Sequence, residues 1–136
     1  MSAAGRPIPN DPRRWEHEAF CYLTTTGRVS GNPHTIEIWF ALDPEDETRL
    51  AMMAGGGRKS DWVRNLAQTP AVTIKLGDRL YPATAHIVAP DAPEDALIRR
   101  LLVEKYRSPS DPLDSWGRTA LSILFILRPP AANPVE

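Results

Sequence analysis

The chain holds one cysteine and three histidines in 136 residues, a scarcity that excludes the two commonest staples of a small fold. Cys21 has no partner for an internal disulfide, and His17, His34 and His86 are too scattered for metal-ligand spacing. No apolar run approaches the roughly 18 residues of a membrane span, and the opening MSAAGRPIPNDPRRW lacks the apolar core of a signal peptide. A soluble, cytoplasmic protein is expected. An excess of one charge is missing too: the net charge is -1 and the pI about 6.3, against the strongly basic balance of a nucleic-acid protein. Any anion site must therefore be local. Catalytic signatures are equally absent, with no G-x-S-x-G elbow, no H-E-x-x-H and no G-x-G-x-x-G after a strand. An enzyme built from this chain must borrow its reactivity. Redox cofactor chemistry fits that requirement, because hydride transfer mainly needs two rings held about 3 to 3.5 Å apart.

What is present describes one ordinary domain, long enough to bury roughly two thirds of its unfolded surface. Thirteen arginines stand against three lysines, which with abundant Ala and Pro hints at a GC-rich bacterial genome. Residues 1–12, with three prolines, read as a flexible N-terminal arm, 13–129 as a single domain, and 130–136 as a flexible tail. Strands are predicted at FCYLTTT, HTIEIWFAL, RLAMMA, AVTIKL, LYPATAHIV and ALSILFIL. In the second, Ile36, Ile38, Phe40 and Leu42 share one face, and Thr35, Glu37, Trp39 and Ala41 the other. AVTIKL and LYPATAHIV form a hairpin across Gly77 and Asp78, with Pro82 suggesting an edge or a bulge. ALSILFIL, apolar on both faces, belongs inside the sheet.

One predicted helix is capped by Ser60, carries Val63, Leu66 and Ala67 at helical spacing, and stops before Pro70. Another runs from Asp91 to about Tyr106, with Asp91 and Glu94 spaced as a capping box. RSPSDPLDSWGR is too rich in Pro, Ser and Asp for regular structure. Six strands with two inserted helices predict a mainly β protein, a closed or nearly closed barrel rather than a parallel α/β sheet.

AGGGRKSDWVRNL, residues 54–66, is the richest candidate for function. It is not a nucleotide P-loop, because Arg58 precedes Lys59 and Met53 stands where the opening glycine belongs. Gly55, Gly56 and Gly57 would still let backbone amides approach an anion at the start of the Ser60 helix, with Arg58 and Lys59 adding charge. The competing reading is a plain strand-to-helix loop with solvated cations. TTTGRVSG, residues 24–31, repeats the character on a smaller scale, and Arg28 would join the site if the fold brings the loops together. Otherwise it is a simple turn. Glu37 beside Trp39 reads as a subunit interface, a ligand wall or a solvated face.

Together YLTTTGRVSGNPHTIEIWFAL, AGGGRKSDWVRNLAQTPAVTIKLGD and SWGRTALSILFIL resemble the deazaflavin-dependent nitroreductase family, from about Phe20 to Arg128. The resemblance implies a six-stranded split β-barrel of the FMN-binding, pyridoxamine-phosphate-oxidase type. It also implies the deazaflavin coenzyme F-420, whose hydride passes to a quinone, nitro compound or other small electron acceptor, and a homodimer. Carried over by position, it assigns Thr26, Gly27, Arg28 and Ser30 to the turn that holds the cofactor. Gly55, Gly56, Gly57, Arg58, Lys59 and Ser60 match the segment around its phosphate and ring, and Trp62 and Asn65 the helix that follows. Tyr106 and Trp116 fall where the acceptor pocket is lined. Val29 and His34 replace a lysine and an arginine of the family pattern, so FMN is the alternative cofactor. A non-catalytic flavin- or deazaflavin-binding module and a structural homodimer joined through the Glu37 and Trp39 face are the competing functions.

Overall fold

The computed structural model describes residues 12–129; residues 1–11 of the arm expected at 1–12, and the tail at 130–136, lie outside the described residues. Pro12, read as part of the arm, instead opens a 3-10 turn, Pro12–Trp15. Seven strands follow, not six. They are β1 (Cys21–Thr26), β2 (Pro33–Ile38), β3 (Ala41–Asp43), β4 (Asp46–Ala54), β5 (Ala71–Leu76), β6 (Arg79–Ile87) and β7 (Leu121–Leu127). Three helices are inserted: α1 (Asp61–Gln68), α2 (Pro93–Tyr106) and α3 (Asp114–Thr119).

All strand pairs are antiparallel, in the order β2-β1-β5-β6-β7-β4-β3. The extra strand comes from HTIEIWFAL, which breaks at Trp39 and Phe40 into β2, paired with β1, and β3, paired with β4. Those partners stand at opposite ends of the order. Two residues reach only about 7 Å, so the edge strands must meet end to end and the sheet must curl on itself. The kink also ends the predicted alternation: Phe40 and Leu42 stay in the core, but Ala41 is buried as well, on the side facing α2.

Two apolar clusters follow from the curl. On one face Leu23, Phe40, Leu50, Ile74, Tyr81 and Phe125 pack with Val63 and Leu66 of α1. On the other, Ala51, Met53 and Ala120 pack with Ile98 and Leu102 of α2. Each large side chain so buried contributes about 1.5–3 kcal/mol. β7 serves both, Ile123 and Phe125 inward to the first and Leu124 to the second, so its predicted interior place is observed.

Several expectations are corrected. Pro82 marks neither an edge strand nor a bulge: β6 lies between β5 and β7, but the β7 pairing covers only Ala83 to Ile87, and the carbonyl of Pro82 accepts the Arg128 N–H at 2.8 Å just past its end. The missing proline donor costs no ladder bond there. The Asp91 capping box does not form; Ala92 is the N-cap and Pro93 the first helical residue. RSPSDPLDSWGR holds all but the last residue of α3, started by Leu113 in the left-handed region (φ 61°) and tied down by Arg99, whose guanidinium donates to the Gly117 carbonyl at 3.0 Å. Tertiary contacts there outweigh composition. The hairpin turn is as expected, with Gly77 at φ 57° and the Trp15 ring packed where any Cβ would sit. No helix among the described residues is long and apolar enough to cross a membrane.

Candidate functional site

The turn between β1 and β2 is wound tightly by its own sequence. The Gly27 N–H donates to the Asn32 carbonyl at 2.8 Å, the Gly31 N–H to the Gly27 carbonyl at 2.9 Å, and the Asn32 N–H to Ser30 Oγ at 3.0 Å. At Gly27 a Cβ would lie 2.7 Å from His34 Nε2, so any side chain there would push the imidazole aside. The winding leaves the amides of Val29 and Ser30 without a protein acceptor among the described residues. They are free to meet a ligand.

Asn65 joins this turn to α1. Its Oδ1 accepts the Arg28 backbone N–H at 3.2 Å and the Arg28 guanidinium at 2.8 Å, while its Nδ2 donates to Thr25 Oγ1 at 3.2 Å. Buried polar groups need such partners, and Asn65 is only 4% exposed. It takes the buried helical position for which Ala67, in fact exposed, was the sequence candidate. Arg28 also reaches Asp61, by a 3.2 Å ion pair with its carboxylate. Ser60 is the N-cap residue as expected, yet its side chain makes no cap bond. The first-turn amides of α1 therefore keep their donors.

Turn and helix together enclose an open cavity of about 530 Å³. Of the residues singled out by sequence, Gly27, Arg28, Ser30, Trp62 and Asn65 line it, and His34 with them. Thr26 lines a different cavity of about 320 Å³ with Thr24, Pro33 and Thr73. Gly55, Gly56, Gly57, Arg58, Lys59 and Ser60 are not in its wall. Gly55 instead faces the Trp116 ring, 3.6 Å from where its Cβ would stand. Arg58 and Lys59 are exposed on a 3-10 turn (Gly57–Lys59), where the Lys59 amide donates to the Gly56 carbonyl at 3.3 Å but neither side chain bonds any group among the described residues. The glycine bend thus leads directly into the cavity's helix but turns its cations elsewhere.

A second cavity, of about 290 Å³, is lined by Phe20, Glu37, Ile38, Trp39, Met53 and Trp116. Trp39 stacks on Tyr106 with ring centroids 4.3 Å apart and planes 3° from parallel, and meets Trp116 edge-on at 5.5 Å. Tyr106 itself stands behind this wall. Its hydroxyl accepts the Phe40 N–H at 3.0 Å and lies 2.9 Å from the carbonyls of both Ala19 and Phe40, to one of which it donates. Burial pushes its pKa up to about 12. Lys105 donates to the carbonyls of Glu16 at 3.0 Å and Phe40 at 2.9 Å, and sits 3.7 Å over the Phe40 ring. Burial pulls its pKa down to about 8. These two α2 residues hold the kink that sets Trp39. Glu37 is engaged as well, accepting the Tyr22 hydroxyl at 2.9 Å.

The cavities are neighbours along one strand: Ile36 of β2 lines the first, Glu37 and Ile38 the second, at a rise of about 3.3 Å per residue. Sequence reasoning missed Phe20, Met53, Asp61 and Lys105. Asp61 and Lys105 were legible only as ordinary helical charges, and their roles depend on partners at Arg28 and Phe40 far away in the chain.

A family model described as F-420H(2)-dependent quinone reductase matches residues 10–124. An F-420H(2)-dependent quinone reductase of Mycobacterium tuberculosis is 30% identical over 82 residues, 60% of this chain and 55% of that protein. The chain spans about half the length of the curated relatives it matches. Among solved structures, an F-420-H2-dependent reductase (FDR-A) superposes with a TM-score of 0.62 at 25% identity, over 82% of this chain and 95% of that one. The heme storage protein HutZ of Vibrio cholerae does so with a TM-score of 0.65 at 18% identity, over 92% and 93%, a likeness of fold alone.

Proposed function

The chain belongs to the F-420H(2)-dependent quinone reductase family, and from that premise we propose that it is an oxidoreductase in which reduced deazaflavin is bound in the first cavity and a quinone in the second. The observation that carries the reading is the Asn65 junction, which makes one cavity out of the turn and the helix. Its donors suit an anionic group: the Val29 and Ser30 amides, the uncapped first turn of α1 and the Arg28 guanidinium. Its volume lies within the range of about 300–1,000 Å³ usual for ligand sites.

When bound, the reduced deazaflavin supplies a hydride. The chain's own part is to hold and screen. Gly27, Arg28, Ser30 and Asn65 fix the anionic end, and Trp62 offers an apolar wall. Trp39 and Trp116 present faces against which a flat acceptor can stack. Tyr106 and Lys105 set Trp39 through the Phe40 backbone rather than touching the acceptor. No side chain is consumed. Gly55 to Ser60 contribute by starting α1 and by backing Trp116.

We read the curled sheet as a split barrel of the pyridoxamine-phosphate-oxidase type, the exposed edge strand β2 as the face of a homodimer, and the setting as cytoplasmic. FMN is the alternative cofactor, since its phosphate meets the same donors. Mixing the purified protein with reduced F-420 and menadione or a nitroaromatic should give cofactor oxidation well above background. None across several acceptors, with F-420 still bound, would favour a storage module instead.

A further inference from the structure

We infer that Asp61 gates the first cavity: its carboxylate holds the place on Arg28 that a ligand oxyanion takes, and so selects ligands carrying a strongly charged phosphate-type group. This rests on the reading of that cavity as the cofactor site. The two partners of the ion pair are unequal. The Arg28 side chain is 25% exposed and braced by Asn65, whereas that of Asp61 is 85% exposed and reaches Arg28 through a single carboxylate contact of 3.2 Å. Asp61 is the half that can leave.

The donor count supports the exchange. A guanidinium has five N–H groups, and the bonds from Arg28 to Asn65 Oδ1, the Asp61 carbonyl and the Asp61 carboxylate use three. Two remain, and displacing the carboxylate frees another without loosening the Asn65 brace. An incoming oxyanion needs only to outcompete a largely exposed ion pair, the weakest kind. Released into water, the carboxylate still sits at the first position of α1, where the helix dipole favours it. A neutral ligand cannot compensate Arg28 in this way.

The test compares the full chain with Asp61→Asn, Arg28→Gln and the double variant. Each is titrated with coenzyme F-420, FMN and inorganic phosphate at low ionic strength and followed by tryptophan fluorescence, since Trp62 lines the cavity. Asp61→Asn should bind each probe about two- to five-fold more tightly. The gain should shrink above about 0.1 M salt and vanish when Arg28 is Gln. F-420 binding no tighter to Asp61→Asn, or an equal gain in the Arg28→Gln background, overturns the gate. Should FMN and phosphate show the gain while F-420 binds to neither protein, the gate stands and the functional reading falls. Binding of no probe overturns both.

Discussion

The two cavities share β2 but are made in opposite ways. The first is held together by hydrogen bonds: a self-bonded turn and the opening of one helix, joined through a single buried asparagine. The second is aromatic and assembled from distant segments, with Phe20 before β1, Trp39 at the kink, Met53 in β4 and Trp116 in α3. A hydrogen-bonded hub concentrates its energy in one residue, whereas stacked rings spread theirs over several faces. Damage to the first should therefore be severe and single-sited, and damage to the second graded.

The sharpest contrast comes from Asn65→Ala. It removes three hydrogen bonds and leaves Thr25 Oγ1 and the Arg28 amide without their partner, so stability should fall by about 2–3 kcal/mol, measured by denaturant unfolding, with cofactor binding lost. Trp116→Ala should leave cofactor affinity unchanged and raise KM for the quinone by up to about ten-fold, from the roughly 0.5–1.5 kcal/mol of aromatic contact removed. Equal losses of cofactor affinity in both variants would show that the cavities are one site. Tyr106→Phe keeps the ring on Trp39 but strips the hydroxyl from the Phe40 amide. A stability loss of about 1 kcal/mol is expected, with a smaller change in acceptor KM than Trp116→Ala.

The kink should also register in pH. Burial lowers the Lys105 pKa from 10.5 to about 8, so above 8 the unfolded chain holds more protons and stability rises with pH. Burial raises Cys21 from 9.0 to about 12 and Tyr106 from 10.0 to about 12, so the unfolded chain loses protons that the folded one keeps, from Cys21 above 9 and from Tyr106 above 10, and these two groups lower stability as pH rises. Unfolding across pH 7–11 should show stability rising from about pH 8 to 9, level between about 9 and 10 where the Lys105 and Cys21 slopes cancel, and falling above 10, and Lys105→Met should erase the rising limb while keeping the falling one. The smallest effect is expected from the pair Arg58→Ala and Lys59→Ala, whose parents are exposed and unpartnered among the described residues. A change of less than about 0.5 kcal/mol in stability is expected, with cofactor affinity held within two-fold.

Much of the frame was legible beforehand because its signals are local. Alternation in β2, the Gly77 hairpin, the doubly apolar β7 and the start of α1 after Ser60 all follow from spacing within a few residues. What escaped depends on distant partners. The pattern of Ile36, Ile38, Phe40 and Leu42 runs unbroken through the kink, which is held by Lys105 and Tyr106 from 65 and 66 residues away. α3 hides in a Pro- and Ser-rich stretch because Arg99 and Val103 of α2 hold Gly117 in place. Arg28, Arg58 and Lys59 look alike as charges. Only the bond to the buried Asn65 decides that Arg28 faces the cavity.

The central claim is that the turn and α1 form one anion-holding cavity for the redox coenzyme. Calorimetric titration of F-420 into the wild-type chain and Arg28→Gln tests it most directly. The account predicts saturable binding weakened at least about ten-fold by the substitution, the usual loss for a charge-assisted hydrogen bond. Absence of heat in the wild type, or equal affinity in both, would contradict it.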